Sequence, residues 1–227
     1  MARLARLFCP DTPHLLQIAV LPAPSEADVP VLDAWARWVA QEAQARQVAL
    51  HGWALVPREI LLLITPPSAD ALRALVQRLG RRIAAQRGGG QVFEGRYRSA
   101  LVQPGEWVLP ALIWLESLPV RYGLAPGGEY WRWSSARAHA GLESAGTLNM
   151  HPDYWRCGNT PFDRQASYRR LLRDGLEASA SSALQEALAG QWALGDRDFV
   201  ARAERLAGRR AAPRPRGRPR KTPATEA

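Results

Sequence analysis

The chain has 227 residues, 47% of them hydrophobic, and a formal charge of +9. That suits one compact domain with appendages and excludes a long multidomain array. Cys9 and Cys157 are the only cysteines and no CxxC occurs, which excludes a disulfide framework and argues against structural zinc.

Taken in chain order, residues 14–21 (HLLQIAVL) form an apolar run bounded by Pro13 and Pro22, which predicts a buried strand. Residues 29–46 place Val31, Leu32, Trp35, Trp38, Val39 and Ala43 at helical spacing, with Asp33, Arg37, Gln41 and Glu42 on the polar face. Residues 48–56 and 59–65 predict two strands joined tightly at Pro57-Arg58, a hairpin. Ser68 caps a second helix whose apolar face is Leu72, Leu75, Val76 and Leu79, and which Gly88-Gly89-Gly90 ends. Residues 91–102 predict a strand, with Arg96 and Arg98 on one face, and 105–118 a helix stopped by Pro119. The stretches 160–190 and 196–208 read as helical. Residues 211–227 are Pro- and Arg-rich without apolar periodicity and read as disordered.

The order βαββαβ predicts an α+β, ferredoxin-like fold: an antiparallel sheet with helices on one face, a helical C-terminal extension and a disordered basic tail. The expected division is 1–125, 126–208 and 209–227. No run is long enough to span a bilayer, and the opening MARLARLFCPDTPH has no long apolar stretch. A cytoplasmic protein with no membrane partner is expected.

The charge is unevenly spread. Residues 209–227 hold seven basic residues and one acid, Glu226, so they carry +6 of the +9. A basic balance points to a polyanionic partner. Base composition is the plainer explanation for the body, because Lys221 is the only lysine among 30 basic residues.

Five short segments then occur in order: WALVPREILLLITP (53–66), FEGRYRS (93–99), LESLPVRYGL (115–124), YWRWSSARAH (130–139) and GRPRK (217–221). With them the chain resembles the single-strand (HUH) tyrosine transposases, especially the REP-associated subgroup, over nearly its whole length. The resemblance implies a DNA strand-transfer enzyme. In that family a His-hydrophobic-His pair on the hairpin's second strand binds Mg²⁺ or Mn²⁺, which polarises the scissile phosphate. A helix tyrosine attacks that phosphate and links covalently to DNA.

Carried over by position, the two histidines fall at Glu59 and Leu61, the tyrosine at Trp114 and an assisting Asn at Leu118. Leucine offers no lone pair, one carboxylate makes a poor magnesium site, and an indole N–H is no nucleophile. The resemblance therefore implies a degenerate member with no catalytic residue, no metal ligand and no cofactor of its own. Tyr97 and Tyr122 are the tyrosines considered as relocated nucleophiles, and His51 with Glu59 as a cross-hairpin pair.

What remains is nucleic-acid binding. The candidate residues are Arg81 and Arg82 on the second helix, Arg96 and Arg98 on the following strand, and Arg216, Gly217, Arg218, Pro219 and Arg220 in the tail. The tail run matches the AT-hook pattern, an extended Arg-bearing segment suited to a narrow minor groove. Trp131, Trp133 and Trp155 either stack unpaired bases or pack beneath a long loop. The expected partner is DNA, single-stranded or hairpin, bound by a monomer or a homodimer. The alternatives are an active transposase with relocated residues and a protein-interaction module.

Overall fold

The computed structural model describes residues 6–22 and 29–214. Five strands form one sheet: β1 (His14–Ala19), β2 (Ala49–Val56), β3 (Glu59–Thr65), β4 (Arg98–Val102) and β5 (Ala193–Leu194), in the order β2-β3-β1-β4-β5. β1 runs antiparallel to both β3 and β4, so the first four strands reproduce the predicted ferredoxin-like order. The predicted hairpin is present, with Pro57-Arg58 as a two-residue turn between Val56 and Glu59. β5 comes from the C-terminal half and pairs parallel to β4, an addition that no alternating pattern in so short a strand could signal.

Alternation along the strands divides the core. Leu16, Ile18, Ile60, Leu62 and Ile64 face α1 (Val29–Gln44) and α2 (Ala69–Gln86). Leu15, Leu61, Leu63, Ala100 and Val102 face the opposite way, onto α3 (Val108–Glu116). The two ferredoxin helices thus share one face, and the second face is covered by α3 and later segments. α3 reads VLPALIWLE, apolar all round, because the sheet, α7 (Pro161–Asp174) and α8 (Ala178–Gly190) enclose it. Gly52 in β2 allows that approach: a Cβ there would lie 2.5 Å from Leu112 Cδ2.

Several boundaries differ from the sequence expectation. The strand predicted at 91–102 begins only at Arg98; Glu94–Arg96 form a bend, and Phe93 makes a single bridge to Val20. The helix predicted over 105–118 is α3 followed by a short turn, α4 (Leu118–Arg121), with Pro119 in its first positions. The stretch 160–190 is two helices broken at Gly175, whose φ of 71° favours glycine. Glu42, read from the sequence as part of the polar helix face, is buried under Arg82 (2.8 Å) and Arg46 (2.5 Å). Short helices α5 (Ala136–His139) and α6 (Pro152–Trp155) lead into α7, and α9 (Arg197–Ala207) follows β5.

The aromatic-Ser-Ser segment ties the C-terminal half to the sheet. Trp133 and Ser135 exchange backbone bonds with β2 at Leu55 and Trp53. Ser135 Oγ accepts from Trp53 N (2.8 Å) and donates to Glu116 Oε1 (2.5 Å). The buried Glu116 also accepts from His139 Nδ1 (2.6 Å) and Tyr168 OH (2.7 Å). Trp131 donates to Leu55 O and Trp133 to Asp33, so these two indoles brace the chain. Trp155 is exposed.

Candidate nucleic-acid interface

The sheet face that packs on α3 is covered at only one end. Leu15, Leu61, Leu63 and Ala100 lie beneath the helix, whereas Gln17, Ala19, Glu59 and Arg98 occupy the same face nearer the strand ends. There they line a cleft of about 640 Å³, completed by Arg58 from the hairpin turn, Arg96 from the bend and Tyr122 beyond α4. Pairing explains the grouping: Gln17 sits opposite Leu61 on one side and Arg98 on the other, and directly opposed residues share a face.

Within the cleft Glu59 is the organising group. Its Oε1 accepts from Gln17 Nε2 at 2.7 Å and its Oε2 from Tyr122 OH at 2.7 Å. Burial, then the hydrogen bond to Glu59, pushes the Tyr122 phenol up to about 12. Arg121 stacks over the Trp114 ring at 4.2 Å and donates to the Trp114 carbonyl. Burial lowers its pKa, while the charge of Glu59 acts the other way. Arg58, Arg96 and Arg98 pair with no carboxylate among the described residues. The cleft therefore presents three cations without carboxylate partners beside two carboxylates, the hydrogen-bonded Glu59 and the exposed Glu94.

The positions aligned with catalytic groups are split by this geometry. Glu59 faces the cleft, but Leu61 is 0% exposed and Trp114 and Leu118 are buried in the same apolar cluster. These residues do not fit a divalent cation: both Glu59 oxygens already accept hydrogen bonds and Leu61 supplies no donor atom. No group of three or more His, Cys, Asp or Glu among the described residues is placed to hold a metal. His51 does not meet Glu59. Its Nδ1 donates to Asn149 O (2.7 Å) and its Nε2 accepts from Thr65 Oγ1 (2.8 Å), a neutral tautomer whose pKa burial lowers to about 4. Tyr97 is buried beneath Arg6.

Of the arginines proposed from sequence, Arg96 and Arg98 come together in the cleft. Arg81 lies on a neighbouring groove that Arg96 also lines. Arg82 is turned towards α1, bonded to Glu42 and Gln41, so its charge is spent on the helix pair. Arg216, Gly217, Arg218, Pro219 and Arg220 lie outside the described residues. The sequence reading missed Arg58 and Gln17. Gln17, a lone polar residue in the apolar run HLLQIAVL, was the available signal.

The fold has a counterpart among solved structures. The chain is similar to a REP-associated tyrosine transposase described as bound to a REP hairpin, with a TM-score of 0.53 and 12% identity over 64% of this chain and 90% of that one. The likeness is one of fold. No protein-family model matches the chain, and no curated protein matches it in sequence. No helix among the described residues is long and apolar enough to cross a membrane.

Proposed function

We propose that the protein is a cytoplasmic DNA-binding protein that holds hairpin or single-stranded DNA in the cleft between Arg58, Arg96 and Arg98, and does not cleave it by a metal-assisted tyrosine reaction. One observation carries this reading. On a single sheet face the cationic end is open and uncommitted, while Leu61 is sealed under α3 beside Trp114 and Leu118. Guanidinium groups without carboxylate partners suit phosphate oxygens, which fix position without reading sequence. That the solved neighbour is described as bound to a hairpin supports DNA as the ligand. In this reading residues 1–125 provide the cleft, 126–208 brace it, and 209–227 add an AT-hook-like arm at Arg216–Arg220. The protein acts as a monomer or a homodimer.

The test is fluorescence anisotropy on hairpin DNA over a salt series. Log affinity falls with log salt by about 0.7–0.9 per phosphate neutralised. Arg96→Ala and Arg98→Ala should each reduce the slope by about one. Absence of binding at low salt would refute the reading and favour a protein-interaction module.

A second reading rests on Tyr122, whose hydroxyl stands in the cleft on Glu59 as a relocated nucleophile would. Its raised pKa works against this, since the phenolate is scarce at neutral pH. Incubation of hairpin DNA with the protein and Mg²⁺ or Mn²⁺ separates the two. A covalent adduct abolished by Tyr122→Phe establishes the second reading, and no adduct supports the first.

A further inference from the structure

Beyond Arg96 and Gly95, which line both, the cleft gives way to a second groove of about 710 Å³ between α2 and the segment Gly90–Tyr97. Its floor is apolar, made by Val76, Phe93 and Tyr97, and its rim is cationic, made by Arg6, Arg73, Arg81 and Arg96. No acidic side chain among the described residues lines it. Arg73 is engaged by Asp70, an exposed pair that competes weakly with a ligand phosphate. Arg81 and Arg96 pair with no carboxylate among the described residues. Arg6 stacks on Tyr97 with its guanidinium carbon 3.6 Å from the ring centroid.

The floor is built to hold an aromatic ring still. Gly80 of α2 lets the Phe93 ring lie against the helix, because a Cβ there would sit 2.8 Å from Phe93 Cε2. The Phe93 backbone is held by its bridge to Val20. A fixed ring flanked by cations spaced along a groove is the combination that binds unpaired polynucleotides: phosphates meet the cations and a base stacks on the ring. A duplex, whose bases are already stacked on one another, offers no base to the ring, and a blunt-ended hairpin seated in the cleft leaves no strand to enter the groove.

We propose that this groove takes an unpaired stretch of DNA, with its phosphates on Arg73, Arg81 and Arg96 and a base on Phe93. The proposal rests on the cleft reading, whose strand it extends. It is tested with the full chain by anisotropy on three probes: oligothymidylate, the same length of abasic strand, and a blunt-ended hairpin with a minimal loop. Arg73→Ala/Arg81→Ala should weaken oligothymidylate binding about tenfold or more and hairpin binding less than about twofold. Phe93→Leu should cost about fivefold or more on oligothymidylate, the loss of one stacked base, and nothing on the abasic strand. Phe93→Tyr, which keeps a ring, should restore binding, and thermal unfolding of each variant separates loss of fold from loss of contact. Equal losses on all three probes, or none, overturn the proposal. So does competition by polyglutamate as strong as that by oligothymidylate, which would mark a site for acidic peptides. If the wild-type chain ignores the hairpin but shows these effects on oligothymidylate, the cleft reading fails and the groove stands.

Discussion

Two carboxylates, Glu59 and Glu116, each accept a tyrosine hydroxyl at 2.7 Å, yet their surroundings assign them different work. Glu116 is buried among Ser135, His139 and Tyr168, with no guanidinium paired to it among the described residues. Its two oxygens accept three bonds, from the aromatic-Ser-Ser segment and α7, so its effect is to fasten the C-terminal half to the ferredoxin core. Glu59 stands on the wall of a cleft, beside Arg58, Arg96 and Arg98. The same hydrogen-bonding chemistry makes a clamp of the fully enclosed Glu116, whereas Glu59, buried but at the edge of a cleft, keeps its charge within reach of unpaired arginines.

The comparison breaks first at Glu116. Glu116→Ala strips three buried donors of their acceptor and should destabilise the fold by about 3–5 kcal/mol. Urea denaturation measures it, and a loss below about 1 kcal/mol would make the clamp incidental. Next is Leu61→His, which places an imidazole where the resemblance to the transposases puts a metal ligand. It buries a polar ring in an apolar cluster and should cost roughly 3 kcal/mol without conferring Mn²⁺-dependent nicking, checked by the same denaturation and by gel assay.

Acid sharpens the contrast between closed and open regions. The pKa of His51 is lowered to about 4 and that of His14 to about 3, both chiefly by burial. Folded values below the unfolded value near 6.5 mean that stability is fully present above pH 6.5 and is lost as pH falls towards 4 and 3. Each histidine removes up to about 1.4 kcal/mol per pH unit in that window. Urea midpoints measured at pH 7 and pH 5 should fall accordingly, and His51→Gln should flatten the difference.

The smallest change in stability belongs to Glu59. Glu59→Gln keeps an acceptor for Tyr122 and should move stability by less than about 1 kcal/mol. It removes one of two negative charges, Glu94 carrying the other, from the cleft that holds Arg58, Arg96 and Arg98, so hairpin affinity should rise a few-fold at low salt, with the gain fading as salt screens it. Unchanged affinity would place the DNA elsewhere.

Much was legible in the residues alone. The order βαββαβ, the Pro57-Arg58 hairpin and the Ser68 cap follow from periodicity and turn chemistry, which act over a few residues. The expectation that Glu59, Leu61 and Trp114 stand where catalytic groups would be came instead from the resemblance to the single-strand transposases. Only the tertiary structure decided which charges are free. Arg82 and Arg96 look alike in the sequence, but one is spent on Glu42 and the other lines both grooves. Likewise Glu42 became a buried ion-pair centre, β5 joined the sheet through a parallel pairing, and Gln17, Arg58 and Tyr122 met at one cleft from segments up to 105 residues apart (122 − 17). The reason is range: propensity and alternation are set by neighbours along the chain, whereas a partner for a charge is set by whatever the fold brings within a few ångströms.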